Sequence, residues 1–293
     1  MAWACIDVGS NTTRLLVAEP AGAGIRELAA RREFTRIGKG LAHDGRVSAE
    51  VVAHAARAVA DQARVARELG AREIEVVGTA AMRRARNRDE LASAIEQGCG
   101  VRMRVLSDGE EARLAFLGAT RTYDAPLRGS VAVVDVGGGS SEIAVGTLGD
   151  GVSWSTSVPI GSGTLAEELI GFDPPAPDEL AALRAAVATA LEGLRVPSSQ
   201  NAIAVGGSAT SLRRLAGAEL SVEALERALR TLASAPADDL AGLLGLAAER
   251  VRLLPAGIAI LEGLAGALGT PLRIGRGGLR EGLILERSAR SHS

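Results

Sequence analysis

Aromatic side chains make up only 2% of the 293 residues, with two Trp, one Tyr and three Phe. Proteins that hold single-stranded nucleic acid or a nucleobase use aromatic faces as stacking platforms. This chain is poorly equipped for either task and better suited to reading phosphate. Lysine is almost missing too: Lys39 is the one lysine, and the remaining side-chain cations are arginines. There are two cysteines, Cys5 in an apolar run and Cys99 in a turn between Gly98 and Gly100. No CxxC spacing occurs, and His43, His54 and His292 are scattered and read as surface residues. A zinc site or a Ser-His-Asp triad is hard to build from such a set. The net charge is −2 and the pI about 6.0, so no global field draws in nucleic acid or an anionic membrane. No apolar run approaches the roughly 20 residues of a membrane span, and the N-terminus enters a strand without a leader pattern. The simplest reading is a cytoplasmic protein with no membrane or nucleic-acid partner.

Glycine is what the chain has in excess, 36 of 293 residues against a usual share of about 7%. Many of these glycines lie at turns between apolar runs. In Val131–Val145 a β-branched run ends in Asp135, then come Gly137, Gly138, Gly139, Ser140, Ser141 and Glu142, and a second apolar run follows. That pattern is a strand, a tight glycine turn and a returning strand. Backbone amides can approach an anion closely at such a turn. Asp135 and Glu142 at the two strand mouths suit a hard cation such as Mg²⁺ bound to phosphate. An ordinary glycine-rich hairpin is the alternative for this loop taken alone. The N-terminus repeats the plan: an apolar strand ends in Asp7, Gly9, Ser10 and Asn11 turn, and Leu15–Ala18 returns. A third cradle, Gly206, Gly207 and Ser208, leads from strand into helix. Repeated strand–turn units at domain-scale spacing predict two similar lobes with a cleft between them.

Between the cradles, strands alternate with helices, so the class is α/β. The first hairpin spans 2–8 and 13–19, with further extended chain from Ile25 to Ile37. Ser48 caps a long helix over 49–69, and a strand follows at 73–78. Arg83, Arg84, Arg86 and Arg88 come after that strand's C-terminal end, where α/β folds place ligands. They read either as phosphate forks or as a solvated charge run. Asn87 to Glu90 forms a capping-box pattern, and Val101–Leu106 is the next strand. Either Ser107 or Asp108 caps the helix that follows; in both registers Glu111 sits in the first turn, where the dipole favours its ionised form. A linker at 123–129 places the domain boundary near residue 124. Helices fill 221–268, broken near Pro236 and at Pro255, and a last strand at 272–274 precedes a terminal helix and a disordered tail from 288. Arg276 and Arg280 beside that strand are further phosphate candidates.

Eight blocks, IDVGSNTTRLL (6–16), GTAAMRRARN (78–87), GEEARLAFLGA (109–119), VVDVGGGSSEI (133–143), PIGSG (159–163), VGGSAT (205–210), RLLPAGIAIL (252–261) and GGLREGLILE (277–286), together resemble the exopolyphosphatase / guanosine pentaphosphate phosphohydrolase (Ppx/GppA) family. The resemblance covers nearly the whole chain. It implies the two-lobed, actin-like fold of sugar kinases and heat-shock-protein ATPases, with ribonuclease H-like lobes, an N-terminal lobe over 1–124 and a C-terminal lobe over 125–293. The C-terminal helix 278–293 can alternatively join the first lobe. The resemblance assigns the catalytic glutamate to Glu111, the metal-linked acids to Asp135 and Glu142 with Asp7 nearby, and the phosphate-facing arginine to Arg83. It assigns the phosphate loops to Gly9, Ser10 and Asn11, to Gly137, Gly138, Gly139 and Ser140, and to Gly207 and Ser208. Ser141 stands where many relatives have threonine. The chain resembles the short members that lack an additional C-terminal helical domain, which weakens the transfer of a long-chain grip and of homodimer contacts.

The implied reaction is release of orthophosphate from the end of inorganic polyphosphate, assisted by Mg²⁺ or another divalent cation, with Glu111 activating water. Guanosine pentaphosphate is the alternative substrate. A kinase of the same superfold and a non-catalytic phosphate or nucleotide sensor are the rivals of other classes; ADP formation or binding without phosphate release would reveal them.

Overall fold

The computed structural model describes residues 1–22, 24–39 and 41–290, apart from the side chains of Ala42 and His43. Expectations that fall on Gly40, the His43 side chain, His292 and the tail 291–293 lie outside the described residues. By compactness the chain divides into two units, Met1–Thr122 with Gly277–Ser293, and Tyr123–Arg276.

In the first unit, β1 (Ala2–Val8), β2 (Thr13–Ala21) and β3 (Gly24–Glu33) form an antiparallel meander. A helical turn, α1 (Leu41–Asp44), precedes α2 (Ala49–Glu68). Ser48 caps α2, accepting a hydrogen bond from the Val51 amide at 3.3 Å. Then come β4 (Ala71–Gly78), α3 (Ala80–Arg84), α4 (Arg88–Cys99), β5 (Met103–Val105) and α5 (Asp108–Arg121). The sheet order is β3-β2-β1-β4-β5, with β4 parallel to both β1 and β5. The capping box expected at Asn87 does not form. Its side chain instead pairs with the Val47 backbone, accepting from N at 2.8 Å and donating to O at 2.9 Å. Cys99 is the buried last residue of α4, with left-handed Gly100 closing the helix.

The second unit repeats the plan with β6 (Val131–Val136), β7 (Ser141–Thr147) and β8 (Gly151–Val158), again antiparallel. Helices α6 (Ser162–Leu169) and α7 (Pro177–Ala190) lead to β9 (Asn201–Val205), parallel to β6, and α8 (Gly206–Ala216). After β10 (Glu219–Leu220) come α9 (Val222–Leu232), α10 (Ala237–Leu244), α11 (Ala248–Leu268) and β11 (Leu272–Ile274). The sheet order is β10-β11-β9-β6-β7-β8. In both units the aspartate-tipped strand is central, hairpin-paired on one side and parallel-paired on the other. The fold is thus two mixed α/β units with five- and six-stranded sheets.

Two features of α11 depart from the sequence reading. Pro255 does not break it. The missing amide costs one hydrogen bond, about 3 kcal/mol in an ordinary helix interior. Leu254 to Leu261 are all buried, and at about 1.5–3 kcal/mol for each large side chain that packing outweighs the loss. The helix is also long and apolar enough to cross a membrane, and more than half of its most apolar stretch is buried in its own unit. It is the core helix of that unit.

The last helix, α12 (Leu279–Arg290), is helical through 288–290 and packs on α5 and β1 of the first unit. Leu279, Leu283 and Ile284 close a core cluster with Trp3, Cys5, Leu16 and Leu114. Glycines set how close α5 and α12 come: a Cβ on Gly282 would stand 2.0 Å from the Leu114 carbonyl oxygen, and one on Gly118 1.9 Å from that of Gly278. Backbone cannot yield as a side chain does. Gly282→Ala should therefore destabilise the first unit by about 1–3 kcal/mol, read as a lower denaturant midpoint at unchanged slope.

Candidate active site

In the first unit the β1–β2 turn carries Asp7, Gly9, Ser10 and Asn11. The Gly9 amide donates to Thr12 O at 3.1 Å, and the Ser10 and Asn11 carbonyls accept from Gly38 N at 2.7 Å and Arg36 N at 3.0 Å. The turn is therefore held from both sides. Asp7 Oδ1 lies below it, 3.9 Å from where a Gly9 Cβ would be. This carboxylate oxygen is sealed from solvent and has no hydrogen-bond partner among the described residues. Burial pushes the Asp7 carboxyl up, against Arg14 and Arg280, which pull it down. Arg280 donates to Leu15 O at 3.1 Å, whereas Arg276 forms an exposed ion pair with Asp124 at 3.0 Å.

The first turn of α5 resolves the open capping question. Ser107 and Glu110 make a reciprocal capping box; the Ser107 amide, with help from Arg104, holds the Glu110 carboxyl below its ordinary range. Glu111, one residue on, faces inward and is buried. Arg83 Nη1 donates to Glu111 Oε2 at 2.7 Å and to Leu106 O at 2.9 Å, and its Nη2 pairs with Asp108. The arginine expected to face phosphate thus clamps the expected catalytic glutamate. Asp108 was read only as a possible helix cap. Its signal was present in the helical i, i+3 spacing of Asp108 and Glu111, which puts both carboxylates on one face.

In the second unit the Gly137–Ser140 turn sits on the PIGSG loop. Gly137 N donates to Ser140 O at 3.0 Å, Ser162 N to Gly137 O at 3.0 Å, and Thr164 N to Gly138 O at 2.9 Å. A Cβ on Gly161 would fall 2.3 Å from Gly138 C and Gly139 N. Ser140 Oγ donates to Glu142 Oε1 at 2.6 Å, and Ser157 Oγ, directly across the β7–β8 register, donates to the same oxygen at 2.9 Å. Sequence reasoning missed Ser157, whose partner is set by strand register rather than by a motif.

In the third cradle Gly206 is already the first residue of α8. Gly206 has φ +85°, and a Cβ there would stand 2.4 Å from Asp135 Oδ1. Ser208 is buried, its Oγ without a partner among the described residues. Asp135, Gly206 and Ser208 are thereby brought to one end of the sheet. Gly206→Ala should cost at least about 1–2 kcal/mol for the left-handed backbone alone and displace Asp135. A drop in melting temperature together with lost turnover would show both.

Each unit offers a donor of the kind a hard divalent cation such as Mg²⁺ prefers: the orphaned, sealed Asp7 Oδ1 in the first, and the Asp135 oxygen, in a cradle that a Cβ would fill, in the second. No thiolate or imidazole stands among them.

The sequence signature of the Ppx/GppA phosphatase family matches residues 16–291, and the chain belongs to that family. Exopolyphosphatase 1 of Mycobacterium leprae (strain TN) is 29% identical over 96% of this chain and 88% of its own. Guanosine-5'-triphosphate,3'-diphosphate pyrophosphatase of Aeromonas hydrophila is 26% identical over 96% of this chain, which covers 58% of that relative. The crystal structure of an exopolyphosphatase from Cytophaga hutchinsonii superposes with a TM-score of 0.85 at 19% identity, covering 98% of both chains.

Proposed function

We propose that this Ppx/GppA phosphatase is an exopolyphosphatase, releasing orthophosphate from the end of inorganic polyphosphate. The observation that carries the reading is the buried Glu111 carboxylate held at 2.7 Å by Arg83. Phosphoryl transfer to water needs positioned groups and charge stabilisation rather than a covalent nucleophile. The guanidinium occupies one oxygen of that carboxylate. A phosphate oxygen competing for the Arg83 fork would loosen that hold and let Glu111 orient the attacking water and take its proton. Arg83 thereby serves both the glutamate and the substrate. The turns at Gly9–Asn11, Gly137–Ser140 and Gly207–Ser208 would offer phosphate oxygens the backbone amides not already bonded within the turns, and the Ser208 hydroxyl. Asp135 and Glu142, with Asp7, would hold Mg²⁺, which supplies neutralisation of the charge on the phosphate oxygens.

Partners of a metal-linked acid typically matter about ten- to a hundredfold. Ser157→Ala should therefore raise the Mg²⁺ concentration for half-maximal activity about tenfold, with Ser157→Thr restoring it. A titration of activity against Mg²⁺ reads this directly.

The second reading is release of the 5′-γ-phosphate from guanosine pentaphosphate, supported by the Aeromonas relative's name. The few aromatics favour polyphosphate, since a guanine pocket ordinarily uses a stacking face. Comparing phosphate release from the two substrates under Mg²⁺ separates them: polyphosphate is expected to be turned over with the higher kcat/KM.

A further inference from the structure

The arginines following Arg83 have no part in the site described above. Arg84 ends α3, and Ala85 after it is extended (φ −70°, ψ 124°) and buried. Ala85 is tucked inward, and Arg84 before it and Arg86 after it are both exposed. Among the described residues neither guanidinium has an ion pair or hydrogen bond. The loop beneath them is fixed: Arg86 N donates to Gly45 O at 2.8 Å, and Asn87 pairs twice with Val47. The Arg86 side chain crosses Gly45 so closely that a Cβ there would stand 3.3 Å from Nε. Arg46 of the same loop adds a third cation. The neighbouring acids are engaged elsewhere: Asp44 accepts from Arg46 N at 2.8 Å, Glu90 lies 3.7 Å from Arg46, and Asp89 lies 3.8 Å from Arg88. A protein of net charge −2 thus exposes two uncompensated arginines on a braced loop, contiguous with the arginine that holds Glu111.

We propose that Arg84 and Arg86 hold the body of a linear polyphosphate whose reacting end lies at Arg83, making this pair a determinant of chain-length preference. The proposal rests on the exopolyphosphatase reading. Planar guanidinium forks match successive phosphate oxygens along such a chain, and a substrate too short to extend past the reacting end cannot reach them.

The test is steady-state hydrolysis of tripolyphosphate and of long-chain polyphosphate, with equilibrium binding of the long chain, by the wild type, Arg84→Ala/Arg86→Ala and Arg84→Lys/Arg86→Lys. Exposed charge contacts are each worth a few-fold. The double alanine variant should raise KM and Kd for the long chain roughly five- to tenfold, with kcat kept and the tripolyphosphate KM within about twofold of wild type. The lysine variant should recover part of the loss, and added salt should narrow the difference between wild type and alanine variant. Long-chain values unchanged in the alanine variant, or an equal rise on both substrates, would overturn the proposal while leaving the exopolyphosphatase reading intact. A wild type that neither binds nor cleaves polyphosphate would overturn both.

Discussion

Glu111→Gln is expected to lower the turnover of polyphosphate by about 10²–10⁴-fold, the usual worth of a positioned general base, with KM nearly unchanged. Glutamine keeps the volume of the side chain, and its amide oxygen can still accept from Arg83 Nη1, now 2.7 Å from Glu111 Oε2. Arg83 also retains Leu106 O and Asp108, so the first turn of α5 should hold its place. What is lost is the capacity to take a proton from water. Steady-state phosphate release and a melting curve of the same preparation separate chemistry from folding. Turnover equal to wild type would remove Glu111 from the role.

Arg83→Ala carries the other large effect, and here stability and activity should fall together. The substitution strips a cation from the buried Glu111 carboxylate and a donor from the Leu106 carbonyl. Removing one partner of a buried ion pair costs about 3–5 kcal/mol. Arg83 is itself about one-fifth exposed and its pair with Asp108 lies at the surface, so a loss nearer 2–4 kcal/mol is expected after allowing for solvent screening. Turnover should also fall, since Glu111 would no longer be held in place. If Arg83 served the substrate alone, KM would rise and the unfolding midpoint would stay put. Arg83→Lys distinguishes the two further: one ammonium keeps the charge but cannot fork to Glu111, Asp108 and Leu106 O together, so stability should recover more than turnover.

What was legible in the sequence was what local chemistry controls. Apolar runs ending in Asp7 and Asp135, each followed by glycine two residues on, announce strand and turn because backbone preferences act within a few residues. Ser48 announces one helix start, and Ser107 or Asp108 another, for the same reason. The contacts that join distant positions were not legible. Nothing in the spacing of Arg83 and Glu111 says that they meet; the parallel β4–β5 crossover brings them together. Ser157 reaches Glu142 because β7 and β8 pair in one register, which a one-residue slip would abolish. Asn87 reads as a cap by its neighbours, yet the Val47 backbone competes for its amide and wins. Pro255 reads as a break by propensity, and burial on both sides overrides it. The resemblance left the C-terminal helix open to either lobe; what seats α12 on the first unit is Gly118 and Gly282, whose small size matters only once two helices are side by side.

The most direct test of the account is phosphate release from long-chain polyphosphate in Mg²⁺, with wild-type protein and Glu111→Gln side by side and guanosine pentaphosphate as the parallel substrate. The account predicts steady orthophosphate production by the wild type, greater on polyphosphate than on the nucleotide, and a loss of at least about a hundredfold in the variant. Wild-type protein that releases no phosphate from polyphosphate, or a variant that matches it, would contradict the account.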